Sequence, residues 1–134
     1  MSSRPGALKP AQQPEQATTG VKLEDRLENS PVRHVLIGRF RPGTTDELIQ
    51  AFIRAFRELS RNIEGILSFE YGLNNSTEGL SHGLTHVITL TFTNIQARDA
   101  YLPHPEHLKF IEWNRQLDIV EDLLVIDYSP QSEV

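Results

Sequence analysis

The sequence predicts an α+β fold: one four-stranded antiparallel sheet carrying its helices on a single face. Three observations lead there. Apolar side chains alternate strictly through Leu84–Thr93 (LTHVITLTFT). They recur at helical spacing from Leu48 to Ile63. Strand and helix patterns follow one another as β-α-β-β-α-α-β, a split βαβ order that closes into such a sheet.

Each element has its own signals. RHVLIGRFR, residues 33–41, reads as the first strand, with His34, Leu36, Gly38 and Phe40 on one face and Val35, Ile37 and Arg39 on the other. Pro42-Gly43 ends it. Thr44 and Glu47 then form a capping box, with Thr44 as the expected N-cap. Leu48, Ile49, Phe52, Ile53, Phe56, Leu59 and Ile63 make an apolar stripe, and Arg54, Arg57 and Arg61 oppose it. Periodicity does not tell whether this stripe fills a core or lines a pocket. Gly65 stops the helix.

Ile66–Leu73 reads as the second strand, and residues 74–83, rich in Asn, Gly and Ser, as a loop. Within that loop, Asn74-Asn75-Ser76 matches a glycosylation acceptor but is more simply polar surface, as is His82. The third strand presents His86, Ile88, Leu90 and Phe92 on its apolar face. Asn94 caps a short helix ending near Tyr101, and Pro105 opens a longer one reaching about Leu117. EDLLVIDY, residues 121–128, is the fourth strand, and its Leu-Leu-Val-Ile run suggests burial on both faces. With helices on one side only, Val35, Ile37, Val87 and several threonines are left on an uncovered face. A second copy of the chain is the economical cover for an apolar patch of that size.

Composition narrows the function. The chain of 134 residues has no cysteine, so disulfides and thiolate metal sites are excluded. Its net charge of −5 argues against nucleic acid as a partner. No apolar run approaches a membrane span, and the N-terminus lacks a secretory leader; a cytoplasmic protein is expected. Residues 1–30 carry four basic and four acidic side chains, so the whole excess lies beyond them. Pro, Gln, Ser, Thr and Gly dominate residues 1–21, a composition that cannot offset the entropy of ordering. Residues 21–28 offer one or two helical turns. The expected division is therefore a disordered tail over 1–30, one folded domain over 31–130 and a short tail over 131–134.

Chemistry concentrates in residues 100–107, AYLPHPEH. One phenol and two imidazoles fall within eight residues, across a break between two helices. Pro105 suits the first helical position, where its missing N–H has no partner to lose. His104 is then the N-cap, and His107 the third helical residue, where the positive end of the helix dipole disfavours the imidazolium. An imidazole neutral near pH 7 can accept a proton. The same residues also suit a plain helix–helix junction. A metal centre is the rival use of the histidines. However, His34 and His86 lie near the starts of antiparallel neighbours, roughly 15–20 Å apart at about 3.3 Å per residue, so they cannot share one ion. No metal and no cofactor is expected.

The stretches RHVLIGRF, EGLSHGLTHVITLTF, AYLPHPEHLKF and DLLVIDY, with the helix from Thr44, resemble the stress-responsive dimeric α/β-barrel family, abbreviated Dabb. The resemblance covers roughly residues 32–130. It implies a ferredoxin-like subunit whose sheet joins that of a second copy to form a barrel, hence a homodimer. The chemistry characterised in that family is closure of a linear polyketide by intramolecular aldol condensation. By resemblance, Tyr101 and His107 are the catalytic pair, and His34 and His86 are two further polar positions on strands. The same resemblance puts Phe52, Phe56 and Ile88 at a pocket. Gly38 stands where the family's cyclase has a bulky aliphatic residue, and the helix also departs from it at Ile53 and Phe56. Two functions follow as expectations: a small dimeric enzyme moving protons on a carbonyl-rich, polyketide-like ligand, or a non-catalytic barrel for stress tolerance or ligand binding. An open cleft joining Tyr101 to His107 favours the first. A space filled by Phe52, Phe56 and Phe110 favours the second.

The proposed division generates one measurement. Deleting residues 1–30 should leave the melting temperature nearly unchanged in a thermal scan, and a large drop would show that the tail belongs to the folded unit.

Overall fold

The structure is a computed structural model that describes residues 28–131. The expected tail up to residue 27, with nearly all of the helical turns expected near 21–28, lies outside the described residues, as do residues 132–134. Strand β1 (Val32–Phe40) leads to helix α1 (Asp46–Arg61), then β2 (Ile66–Leu73), β3 (His86–Phe92), α2 (Ile95–Tyr101), α3 (Pro105–Leu117) and β4 (Val120–Tyr128). The four strands form one sheet in the order β2-β3-β1-β4, every neighbouring pair antiparallel. This is the predicted architecture.

The sheet's helix-facing side and the helices enclose the core. Leu90 and Phe92 on β3, Ile53 on α1 and Tyr101 at the end of α2 are almost completely buried, with Phe52, Phe56, Ile88 and Val32 around them. Burying one such large side chain contributes about 1.5–3 kcal/mol. Strands β3 and β1 are both central, each with a paired strand on either side, and β3 carries Ile88, Leu90, Thr91 and Phe92 as buried residues. Helix α1 packs on β2 and α3, and α2 packs on β1 and β3.

Several boundaries differ from expectation for local reasons. The N-cap of α1 is Thr45, not Thr44: the Thr45 side chain accepts from the Leu48 N–H at 3.2 Å. Thr44 instead turns its hydroxyl back to donate to the Arg41 carbonyl at 2.7 Å, closing the Pro42-Gly43 turn. Both threonines satisfy the capping chemistry, and only the turn decides between them. Leu48 stays exposed, so the buried stripe begins one turn later. Arg57 leaves the solvent face expected for it and lies over the Phe69 ring, 5.4 Å from its centroid. Helix α1 ends at Arg61 with Asn62 as its cap, and Ile63 reaches the core from beyond the helix. Gly65, at φ +95°, turns the chain into β2, and a Cβ there would lie 2.8 Å from that of Ala97.

The expected burial of β4 on both faces is not met within one chain. β4 is an edge strand, and Leu123, Leu124, Val125 and Ile126 remain 49–52% exposed. The pairing register places Leu124 and Ile126 beside Ile37 and Val35, on the side away from the helices. With Val87 they form one apolar surface.

Candidate active site

Between the sheet and helices α1 and α3 lies a cavity of about 370 Å³, within the range of small-molecule sites. Sequence-predicted residues Tyr101, His107, His34, His86, Phe52, Phe56 and Ile88 all stand on its wall. Phe52, Phe56 and Phe110 pack ring against ring and leave the space open, instead of filling it.

The break between α2 and α3 sets the reactive corner. His104 is the N-cap of α3, its Nδ1 accepting from the Glu106 N–H at 3.0 Å, and Pro105 opens the helix. The cap consumes the Nδ1 lone pair of His104, and this ring is not on the cavity wall. One turn on, His107 stacks on Tyr101 with ring centroids 4.0 Å apart and planes at 26°. Its Nδ1 lies 3.0 Å from the Leu102 carbonyl. A carbonyl only accepts, so Nδ1 carries the proton, and the lone pair of the neutral ring is on Nε2. Burial pushes the His107 pKa below its ordinary value of 6.5, outweighing the opposing carbonyl contact.

Tyr101 is fully buried, and its hydroxyl has no hydrogen-bond partner. Buried phenols ordinarily find one. Burial drives its pKa up, so the group is a neutral O–H donor at physiological pH. A second orphan on the same wall is Asn114, whose Oδ1 is buried and unpaired.

His34 approaches from β1. Its Nδ1 is 2.8 Å from Asp127 Oδ1, and its ring packs edge-on to Tyr101 at 5.9 Å. Asp127 receives a second contact from Arg98 Nη1 at 2.7 Å, and Arg98 also reaches Asp99. The carboxylate thus fixes the His34 tautomer while a guanidinium balances its charge. His86 is packed between Phe40 and Tyr71 and touches the Thr85 hydroxyl at 2.7 Å; burial lowers its pKa. His34 pairs with Leu90, four residues from His86 along β3, about 13 Å at 3.3 Å per residue. That is slightly nearer than the sequence estimate, and both rings face one cavity. Among the described residues, no three His, Asp or Glu side chains converge on a point able to hold a metal ion.

Sequence reasoning missed several walls. Asp127 and Arg98 were not singled out, since Asp127 lies 93 positions from His34 and 29 from Arg98, separations that carry no local signal of pairing. Asn114 was hidden by its ordinary helical setting. Leu123 and Val125 line the cavity from the edge strand because the register faces them toward α3. At Gly38 the cavity floor is bare backbone: a Cβ there would stand 2.6 Å from the Asp122 carbonyl oxygen.

Residues 32–130 match the family model of the Stress responsive A/B Barrel Domain, Dabb. The chain belongs to this family. Its Dabb relatives include the stress-response A/B barrel domain-containing protein HS1 of Arabidopsis thaliana, 36% identical over 102 residues that cover 76% of this chain and 92% of that protein. Olivetolic acid cyclase of Cannabis sativa is 25% identical over 100 residues, covering 75% of this chain and 97% of the cyclase. Among solved structures, a hydroxynitrile lyase from Passiflora edulis superposes with a TM-score of 0.71 at 18% identity, over 79% of this chain and 98% of that one. This last likeness is one of fold.

The His107 environment generates a titration. Its imidazole should change charge at a pH below 6.5, read as the midpoint of its Cε1–H shift by NMR. A midpoint above 6.5 would show that its partners, not burial, govern the ring.

Proposed function

We propose that this Dabb protein is a homodimeric enzyme that performs intramolecular aldol chemistry on a carbonyl-rich, polyketide-like ligand without a cofactor. One observation carries this reading: an open cavity whose wall holds an unpartnered, buried Tyr101 hydroxyl beside a neutral His107 ring. His107 Nε2 removes a proton from a carbon between two carbonyls of the ligand. The resulting enolate carbon attacks another carbonyl of the same chain, forming the C–C bond and leaving an alkoxide on the attacked carbon. The Tyr101 hydroxyl donates a hydrogen bond to the oxygen that gains charge. The His107 imidazolium then returns its proton to the alkoxide, which restores the catalyst and yields a cyclic β-hydroxy ketone. His34, held by Asp127, borders Tyr101 and orients the ligand.

Support comes from the 25% identical relative named olivetolic acid cyclase. Higher identity to HS1, whose name describes a stress response and no reaction, favours the second reading, a barrel that binds without turnover. The apolar face of Val35, Ile37, Val87, Leu124 and Ile126 supports the dimer: Leu124 and Ile126 are half exposed, the other three are partly exposed, and the face is continuous across β3, β1 and β4.

On a verified substrate, His107→Ala should lower turnover by about 10²–10⁴-fold, as for a lost acid–base group. Tyr101→Phe preserves the packed ring and removes only the donor, so it should cost about 10²–10³-fold. The double variant should be little worse than His107→Ala alone, because residues acting as one unit are strongly non-additive. Activity should fall on the acid side as His107 protonates, at a pH below 6.5. Full activity in either single variant would leave the non-catalytic barrel as the better account.

Sedimentation at micromolar concentration should show one species at twice the 15.2 kDa chain mass. A monomer alone would overturn the proposed pairing.

A further inference from the structure

Helix α3 presents His107, Phe110, Ile111 and Asn114 to the cavity, the i, i+3, i+4, i+7 positions of one face. Two polar residues therefore bracket two apolar ones. Seven residues at 1.5 Å each place Asn114 about 10.5 Å from His107 along the helix axis.

Asn114 is an uneconomical choice for that place. Its Oδ1 is buried without a partner. Neighbouring Arg115 and Gln116 are engaged with Glu112 and make no bond to the amide. The cavity lining it shares is largely hydrocarbon, Ile111, Val120 and Leu123 among it, and the Arg39 guanidinium on that lining is paired with Glu121 and Asp122. A leucine there would remove the desolvation cost and favour the helix. An unpaired polar group retained in an apolar cavity points to the ligand as its partner.

We propose that Asn114 is a specificity-determining residue that hydrogen-bonds a hydroxyl group at the far end of an elongated ligand. The inference rests on the reading of Tyr101 and His107 as the reactive corner. The ligand's carbonyl end lies there, an apolar middle runs over Phe110 and Ile111, and the distal hydroxyl meets the Asn114 amide. The amide oxygen accepts from that hydroxyl, and its NH2 group, on a flip, donates to it. The substrate class is thus a medium-length, mainly apolar chain with a hydroxyl remote from its reacting carbonyls.

The test is a binding comparison that needs no turnover. A length series of linear β-diketones is prepared in pairs, one member ending in a methyl group and the other in a primary hydroxyl. Each is titrated into the full chain and followed by Trp113 fluorescence, the chain's one tryptophan, whose ring stands 5.8 Å from Phe110. At one length the hydroxyl-ended probe should bind roughly 3–10-fold more tightly than its methyl partner, the worth of one net hydrogen bond. Asn114→Leu should abolish that preference, bind the methyl-ended probe at least as well, and melt at a higher temperature. Asn114→Ala provides the same comparison should the leucine fail to fold. Equal affinities within every pair for the unmodified chain would overturn the role of Asn114 and leave the Tyr101–His107 reading intact. If no probe binds, both fall. A preference that survives in Asn114→Leu or Asn114→Ala assigns the hydroxyl to another residue and also overturns the inference.

Discussion

Between Tyr101 and His107 the chain makes a three-residue break, and the length of that break decides where both rings stand. Leu102 still donates its N–H to Arg98, and the His104 N–H reaches back to the Tyr101 carbonyl at 3.0 Å. Pro105 then fixes the direction of α3. The result stacks an imidazole on a phenol 4.0 Å away, with the imidazole held by the Leu102 carbonyl. Because Tyr101 is itself wedged against Phe92 and His34, the stack is anchored to the centre of the sheet. His107 faces the cavity because it is the third residue of α3, and one position earlier or later in that helix would point about 100° away. The site is therefore built directly on the core beneath it.

The sheet serves two sides unequally. Toward the helices it supplies His34, His86 and Ile88 to a cavity. Away from them it offers Val35, Ile37, Leu124 and Ile126. Edge strand β4 contributes to both, and its four-residue apolar run makes sense only with both in view. Leu123 and Val125 close the cavity, while Leu124 and Ile126 extend the outer surface.

Much of this was legible in the chain itself. The strict alternation of β3 and the stripe of α1 fix the element types, because each period matches one geometry only. The cap at His104 and the place of His107 follow from Pro105. What escaped has physical reasons. Thr44 and Thr45 are equivalent as caps until the preceding turn is known. Phe52 and Phe56 obey the same periodicity whether they fill a core or border an opening, so the cavity had no signature of its own. The Asp127 contact with His34 depends on the β1–β4 register, which hydrophobic pattern constrains only to within a face. Asn114 resembles any polar helical residue until its surroundings are seen to be apolar.

Gly38 has a consequence for the history such a site can have. There the cavity floor is main chain, pressed against the Asp122 carbonyl just before the β1–β4 pairing shifts register between Arg39 and Phe40. Any side chain at position 38 must first displace a neighbouring strand, so substitutions cannot gradually raise or lower the floor. The helical walls are free of that constraint. Phe52, Phe56, Phe110 and Ile111 can each be exchanged for a larger or smaller residue at the modest cost of repacking. A relative of this fold with a bulky residue at the place of Gly38 must therefore carry its β4 edge displaced from the position it has here, whereas changes along α1 and α3 reshape the cavity with the sheet left in place.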